Sequence, residues 1–150
     1  MTIRVAEAHE AEEILRVTNA AYRVERNFID TDRLDAAQLS ELLTKGVFLV
    51  TDGMAGCVYV ELRGARGYFG PLSVDPACQR LGIGKSLVKA AEDYARANGC
   101  RYMDLRTVNL REELPAYYRK LGYAETGTEP FPETEVTKLP CHLICMSKDL

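Results

Sequence analysis

Several features that mark special classes of protein are missing from this chain of 150 residues. It has no tryptophan and two histidines, and no stretch approaches the roughly 18 apolar residues that a membrane span needs. The first residues, MTIRVAEAHEAEEIL, lack the basic segment and apolar run of a secretion signal. We therefore expect a soluble, cytoplasmic protein with no membrane partner.

A strong excess of charge of one sign is also absent. The chain carries 19 Lys and Arg against 22 Asp and Glu, a net charge of -3, so no nucleic-acid partner is predicted. Apolar residues make up 47% and charged residues 27%, which argues against a disordered or fibrous protein. The length fits one domain over residues 1–150.

The five cysteines are odd in number and scattered, at positions 57, 78, 100, 141 and 145. Without a secretion signal we expect them to be reduced. Cys141, His142 and Cys145 lie close enough to suggest zinc, but tetrahedral zinc needs further ligands and the only other histidine is His9. No metal is predicted, and Cys145 is interpreted as a small apolar residue of a last strand.

The hydrophobic pattern predicts the order β-α-α-β-β-β-α-β-α-β-β, an α/β protein with a mixed sheet and helices on its faces. The fourth strand, third helix and fifth strand must form a parallel crossover. Pro71 lies inside the fourth strand, where it should interrupt regular pairing. Gly46 is expected to end the second helix, and Glu92 to lie on the outer face of the third. The predicted strands are residues 3–5, 47–51, 55–62, 68–74, 102–108, 123–129 and 142–148, and the predicted helices are 7–23, 35–44, the segment from QRLGIGKS to Asn98-Gly99, and 114–122.

Residues 79–86, QRLGIGKS, suggest a phosphate site that could belong to one of three classes. A P-loop needs glycine at position 79, which is Gln79, and a Rossmann turn needs glycine at position 87, which is leucine. The third pattern, Q-x-x-G-x-G, fits Gln79, Gly82 and Gly84 and precedes the clearest amphipathic helix of the chain. Unpaired N–H groups at that helix start can bind a pyrophosphate, with charge added by Arg80 and Lys85. A plain helix start is the alternative.

Three stretches together resemble the GNAT superfamily of N-acetyltransferases. They are LSVDPACQRLGIGKSLV, LRTVN and LPAYYRKLGY, and the element order agrees over essentially the whole chain. The resemblance implies an α/β (α+β mixed) fold with a central mixed sheet of about seven strands. Its parallel fourth and fifth strands would splay apart at one end, and helices would cover both faces.

The resemblance also implies acetyl-CoA as cosubstrate, with its pantetheine arm between the splayed strands and without a metal. An amine acceptor is the second partner. Dimers are common in this family, so the resemblance is also compatible with a homodimer. Asn109 would bond the pantetheine or contact the helix that carries Tyr118. The implied cofactor-binding residues are Leu72, Ser73, Val74, Gln79, Arg80, Leu81, Gly82, Ile83, Gly84, Lys85, Ser86 and Asn109.

Tyr118 is the residue that the resemblance implies as catalytic, the proton donor to the leaving thiolate. A phenol with a pKa near 10 is in the donor form at neutral pH. A core tyrosine is the alternative reading, and the neighbouring Tyr117 should point about 100° away and pack. No general base is evident. Glu61 is a candidate, although a solvent-facing glutamate is the simpler reading, and Ser73 has no histidine to activate it.

Two segments should select the acceptor, YRVERNFIDTDRL at 22–34 and PFPETEVTKLP at 130–140. Their acids, Glu25, Asp30, Asp32, Glu133 and Glu135, would attract a cationic amine, but basic residues are interleaved with them. The sequence therefore predicts an acetyl-CoA-dependent N-acetyltransferase acting on a primary amine of a small molecule. A protein N-terminal or lysine acetyltransferase and a non-catalytic acyl-CoA-binding module stay open as alternatives.

Overall fold

A seven-stranded sheet organises the protein in the computed structural model. The structure describes residues 1–27, 33–79, 81–132 and 137–150, without the side chains of residues 26 and 27. The strands are β1 (Ile3–Val5), β2 (Gly46–Thr51), β3 (Gly56–Arg63), β4 (Arg66–Val74), β5 (Tyr102–Val108), β6 (Ala124–Pro130) and β7 (His142–Asp149). The helices are α1 (Ala11–Ala21), α2 (Ala36–Lys45), α3 (Ile83–Ala97) and α4 (Glu113–Lys120).

The predicted order of elements is confirmed, and the strands lie in the order β1-β2-β3-β4-β5-β7-β6. The β4–β5 pair is parallel, as the crossover through α3 requires, and the other neighbours are antiparallel. No helix among the described residues has the length and apolar character to cross a membrane.

Each face of the sheet carries its own apolar core. The first core joins α1 and α2 to one face and includes Ile14, Val17, Leu39, Phe48 and Tyr59. The second joins α3 and α4 to the other face and includes Phe69, Leu87, Met103, Tyr118 and Tyr123. Because side chains alternate along a strand, neighbouring residues of β2 and β3 enter different cores.

One local prediction was confirmed and another was wrong. Gly46 ends α2 as its C-cap residue, and its backbone N–H donates to the Leu42 carbonyl. Its φ of -159° is extended, so it also begins β2. Glycine is needed there because a Cβ would lie 2.3 Å from the Val60 carbonyl oxygen. Glu92 does not face solvent: it is 7% exposed, because Tyr123 and Lys148 supply hydrogen-bonding partners beneath α3.

The parallel strands β4 and β5 pair at their beginnings and then part. Arg66, Gly67 and Tyr68 pair with residues 102–104, and β4 continues to Val74 beyond that point. The register of β3 against β4 shifts between the pairs at Phe69 and Leu72, which bracket Pro71. The expected interruption of pairing at Pro71 and the expected splay of the strands are both confirmed.

Candidate active site

The opening between β4 and β5 exposes backbone that a regular sheet would use for pairing. On β4, Leu72 and Val74 turn their side chains toward the α3 core, whereas Ser73 is fully buried beside Cys57 on the opposite face. On β5, the hydroxyl of Thr107 is buried and has no hydrogen-bond partner among the described residues. An extended ligand could therefore occupy the gap and pair with main chain, as an added strand does.

The start of α3 lies directly beyond β4 and forms an open cradle. Gly82, with a φ of 76°, is the N-cap residue, and its carbonyl accepts the backbone N–H and the hydroxyl of Ser86, both at 3.1 Å. A Cβ on Gly84 would lie 3.2 Å from the Tyr117 hydroxyl oxygen. The glycines thus leave space at a helix start whose N–H groups suit an anion.

The predicted loop residues differ in what they can offer a ligand. Gln79, Leu81 and Lys85 are exposed, and Leu81 is 73% exposed. The Ile83 side chain is 6% exposed and belongs to the α3 core, so only its backbone is available. Arg80 lies outside the described residues.

Asn109, at the end of β5, is held by β7. Its backbone N–H donates to the His142 carbonyl at 2.9 Å, and its side-chain oxygen accepts the His142 N–H at 2.8 Å. The side chain therefore joins two strand ends beside the gap, and its predicted contact with a cosubstrate stays a prediction.

Tyr118 lies on the α3 side of the gap and is 6% exposed. Its ring meets Phe69 and Tyr123 in edge-to-face contacts, with centroids 5.9 and 6.1 Å away. Burial, together with the nearby Tyr22 hydroxyl, raises the pKa of Tyr118, so its proton stays on oxygen at neutral pH. Tyr117 packs partly against the same core, as predicted, but its hydroxyl also reaches Gly84.

Tyr22 approaches the gap from the α1 side. Its hydroxyl lies beside the backbone N–H of Leu72, and burial raises the pKa of Tyr22. The Arg33 guanidinium lies 5.3 Å from the centre of its ring. Two tyrosines, Tyr22 and Tyr118, therefore face the splayed part of β4 from opposite sides of the sheet.

An ion pair lies next to Tyr22. Arg111 Nη1 and Glu25 Oε2 are 3.0 Å apart, and the two side chains are 19% and 10% exposed. Burial raises the pKa of Glu25, and Arg111 opposes that shift. Glu25 is one of the acids that the sequence predicts near the acceptor. Its partner Arg111 could not be predicted, because the two residues are 86 positions apart. Asp30, Asp32, Glu133 and Glu135 lie outside the described residues.

A cavity of about 280 Å³ opens on the α1-facing side of β4, β5 and β7. It lies beside the paired part of β4 and β5, next to the point where these strands part. The Tyr68 ring lies between the guanidinium groups of Arg63 and Arg106, at 4.5 and 5.3 Å from its centroid. Each cation of the cavity has an acidic partner, so the charges largely cancel. The pairs are Arg63–Glu61, Arg66–Asp104 and Arg106–Glu129.

Glu61, the sequence's candidate for a base, is engaged in this network. Its carboxylate accepts the Tyr59 hydroxyl at 2.8 Å and pairs with Arg63. Burial pushes the pKa of Glu61 upward, but the hydrogen bonds from Arg63 and Tyr59 outweigh it and hold the pKa below its usual value. A base needs a higher pKa to accept a proton near neutrality, so Glu61 is poorly suited to that role.

Comparison with known proteins finds one matching family. A family model described as "Acetyltransferase (GNAT) family" matches residues 11–123. No curated protein matches the chain in sequence.

Among solved structures, the ribosomal-protein-S18-alanine N-acetyltransferase of Escherichia coli superposes with a TM-score of 0.80 at 18% identity, covering 99% of this chain and 92% of that one. Nourseothricin acetyltransferase gives 0.73 at 18%, covering 99% and 97%. The yncA protein of Salmonella typhimurium, solved with its cofactor acetyl-CoA, gives 0.75 at 23%, covering 100% and 94%. At these identities the likeness establishes the shared fold.

Proposed function

Because the chain belongs to the GNAT acetyltransferase family, we propose that it transfers the acetyl group of acetyl-CoA directly to a primary amine of a small molecule. The observation that carries the proposal is the parting of β4 and β5 beyond Tyr68, with Tyr118 on one side and a cavity on the other. This arrangement would give the acyl donor and the acceptor separate approaches to one point.

The described residues fit the acyl donor. The backbone of Leu72, Ser73 and Val74 would pair with its amides, and the N–H groups that follow Gly82 would hold its pyrophosphate. Lys85, exposed in the first turn of α3, would add positive charge. When bound, acetyl-CoA supplies an activated thioester whose carbonyl carbon is open to an amine.

Tyr118 would act as the proton donor. The neutral acceptor nitrogen bonds to the carbonyl carbon and loses a proton to solvent, while the carbon–sulfur bond breaks and the Tyr118 hydroxyl gives its proton to the departing sulfur. Solvent then returns a proton to Tyr118. Its raised pKa keeps that proton in place at neutral pH. Tyr118 is 6% exposed and packs against neighbouring aromatic rings, which would limit its movement and favour transfer to a fixed position.

The cavity supports a small acceptor over a protein. Its volume of about 280 Å³ lies just below the usual range of small-molecule sites, about 300–1,000 Å³, so it suits a small acceptor. The cavity presents both positive and negative side chains, which balance one another. It therefore favours a molecule that itself carries both positive and negative polar groups. The named structural neighbours include enzymes of both acceptor types at equal identity, so they do not favour either.

The test is a turnover assay with acetyl-CoA, in which free thiol is followed and products are weighed by mass spectrometry. The acceptors are a panel of small amines and a panel of peptides with free N-termini or lysines. We expect turnover with small amines, and Tyr118→Phe should lower kcat by about 100-fold. Tyr94→Phe, on α3, is the matched control and should leave kcat unchanged.

Three results would contradict the proposal, each in a different part. Turnover with peptides alone would overturn the small-molecule acceptor. Full kcat in the Tyr118→Phe variant would overturn the proton donor. Binding of acetyl-CoA with no turnover on either panel would instead indicate a non-catalytic module.

A further inference from the structure

A buried carboxylate lies under α3, away from the cosubstrate loop. Glu92 is 7% exposed. It lies nine residues after Ile83, the first residue of α3, and therefore about 13 Å along the helix from the loop. Its Oε2 accepts the Tyr123 hydroxyl at 2.7 Å. Lys148 Nζ lies 3.2 and 3.1 Å from its two oxygens. Nothing in the proposed transfer uses this carboxylate directly.

The network continues from Tyr123 to Tyr118. Tyr123 is 2% exposed, and its ring meets those of Phe69 and Tyr118 edge to face, at 5.9 and 6.1 Å. Its backbone N–H donates to the Tyr118 carbonyl at 3.1 Å across the turn at Gly122, whose φ is 98°. The hydroxyl end of Tyr123 is thus fixed by Glu92, while its ring and backbone bear on Tyr118.

We propose that Glu92 is a positioning residue, which fixes the ring of Tyr118 for proton donation by anchoring the hydroxyl of Tyr123. This inference rests on the proposed role of Tyr118. Three elements meet in it: α3 supplies Glu92, β7 supplies Lys148, and the turn after α4 supplies Tyr123.

The chemistry of the network favours positioning over stability. A buried ion pair rarely stabilises a fold more than apolar residues of the same size would. A hydrogen bond to a charged acceptor is short and directional, and therefore fixes one arrangement of the groups it joins. Edge-to-face rings transmit that constraint, because each ring limits the rotation of the next. A displacement of about 1 Å at the donor is enough to slow a transfer by about 100-fold.

The test is a double-mutant cycle between Tyr123→Phe and Tyr118→Phe, because Tyr123→Phe removes one oxygen and keeps the ring. In the wild-type background we expect kcat to fall about 10-fold, with KM for acetyl-CoA and acceptor unchanged. In the Tyr118→Phe background the same change should alter kcat less than about 2-fold. Glu92→Gln should lower kcat as well, whereas Asp93→Asn, on the exposed face of α3 beside Lys89, should not.

A second measurement needs no turnover. In protein with ¹³C-labelled tyrosine rings, Tyr123→Phe and Glu92→Gln should shift the ring signals of Tyr118, and Asp93→Asn should leave them in place. Unmoved Tyr118 signals, or an equal loss of kcat in both backgrounds, would overturn the positioning role while Tyr118 stays the donor. Full kcat in Tyr118→Phe would overturn the donor role and this inference with it.

Discussion

Glu25 and Arg111 form an ion pair that joins the segment after α1 to the loop before α4. Oε2 and Nη1 are 3.0 Å apart, although 86 positions separate the residues in sequence. Arg111 Nε also pairs with Glu113, in the first turn of α4. The contact therefore ties the segment after α1, which the sequence predicts to select the acceptor, to the helix that carries Tyr118.

Removing one partner of this pair should be costly. In Arg111→Met the mostly buried Glu25 loses its counter-charge, and we expect the unfolding free energy to fall by about 3 kcal/mol. The Arg111→Met/Glu25→Met double variant should recover part of that loss, since no unpaired charge remains. Denaturant titration measures both. Arg119→Met, which breaks an exposed pair with Glu125, is the control and should cost about 1 kcal/mol or less.

The left-handed glycine at the start of α3 should matter to the cosubstrate as well as to the fold. Gly82→Ala places a side chain at a φ of 76°, which should lower the unfolding free energy by about 1 kcal/mol. It should also weaken acetyl-CoA binding, measured by calorimetry, because the loop backbone must shift. Gly99→Ala, at the other end of α3 with a φ of 88°, should lose similar stability with no change in binding. Equal affinity in both variants would argue against the loop as the pyrophosphate site.

Alkaline pH should destabilise the protein through its buried tyrosines. Burial raises the pKa of Tyr59, Tyr118 and Tyr123 above the unfolded value of about 10. The folded state then holds protons that the unfolded state has lost, so stability is full below about pH 10 and declines as pH rises further. Absorbance at 295 nm should show these three tyrosines ionising only on unfolding. Their ionisation in the native protein near pH 10 would contradict the prediction.

The thiols should differ in reactivity according to burial. Cys57 is fully buried, and burial raises its pKa to about 11, so it should not react with Ellman's reagent in the native protein. Cys100 is also buried, whereas Cys78, Cys141 and Cys145 are partly exposed and should react first. Counting thiols before and after adding denaturant measures the difference. Early loss of the Cys57 thiol would mean that α1 opens readily from the sheet.

Local sequence signals were enough for the framework of this protein. Alternation and helical periodicity predicted the order of elements, and Pro71 correctly indicated where β4 loses regular pairing. The left-handed conformation at Gly82 is also a local property, because it depends on the residue type at that one position. The glycine loop before α3 and the helix that carries Tyr118 could be located for the same reason.

Contacts between distant segments could not be predicted in this way. Periodicity placed Glu92 with its polar neighbours on α3, but its burial depends on Tyr123 and Lys148, which lie 31 and 56 positions away. The pairing of Glu25 with Arg111 has no local signal either. The position of Tyr117 against Gly84 depends on how α4 meets the start of α3, which neither segment specifies alone.

The parting of β4 and β5 also affects the resistance of the protein to proteolysis. Three residue pairs link these two described strands, so the sheet has few bonds to break where its two halves meet. A ligand bonded to both sides bridges the halves, and a ligand that binds only the folded state adds about 2.7 kcal/mol of stability at 100 times its Kd. Resistance to proteolysis should therefore rise with the supply of acetyl-CoA, so that the substrate protects the enzyme that consumes it.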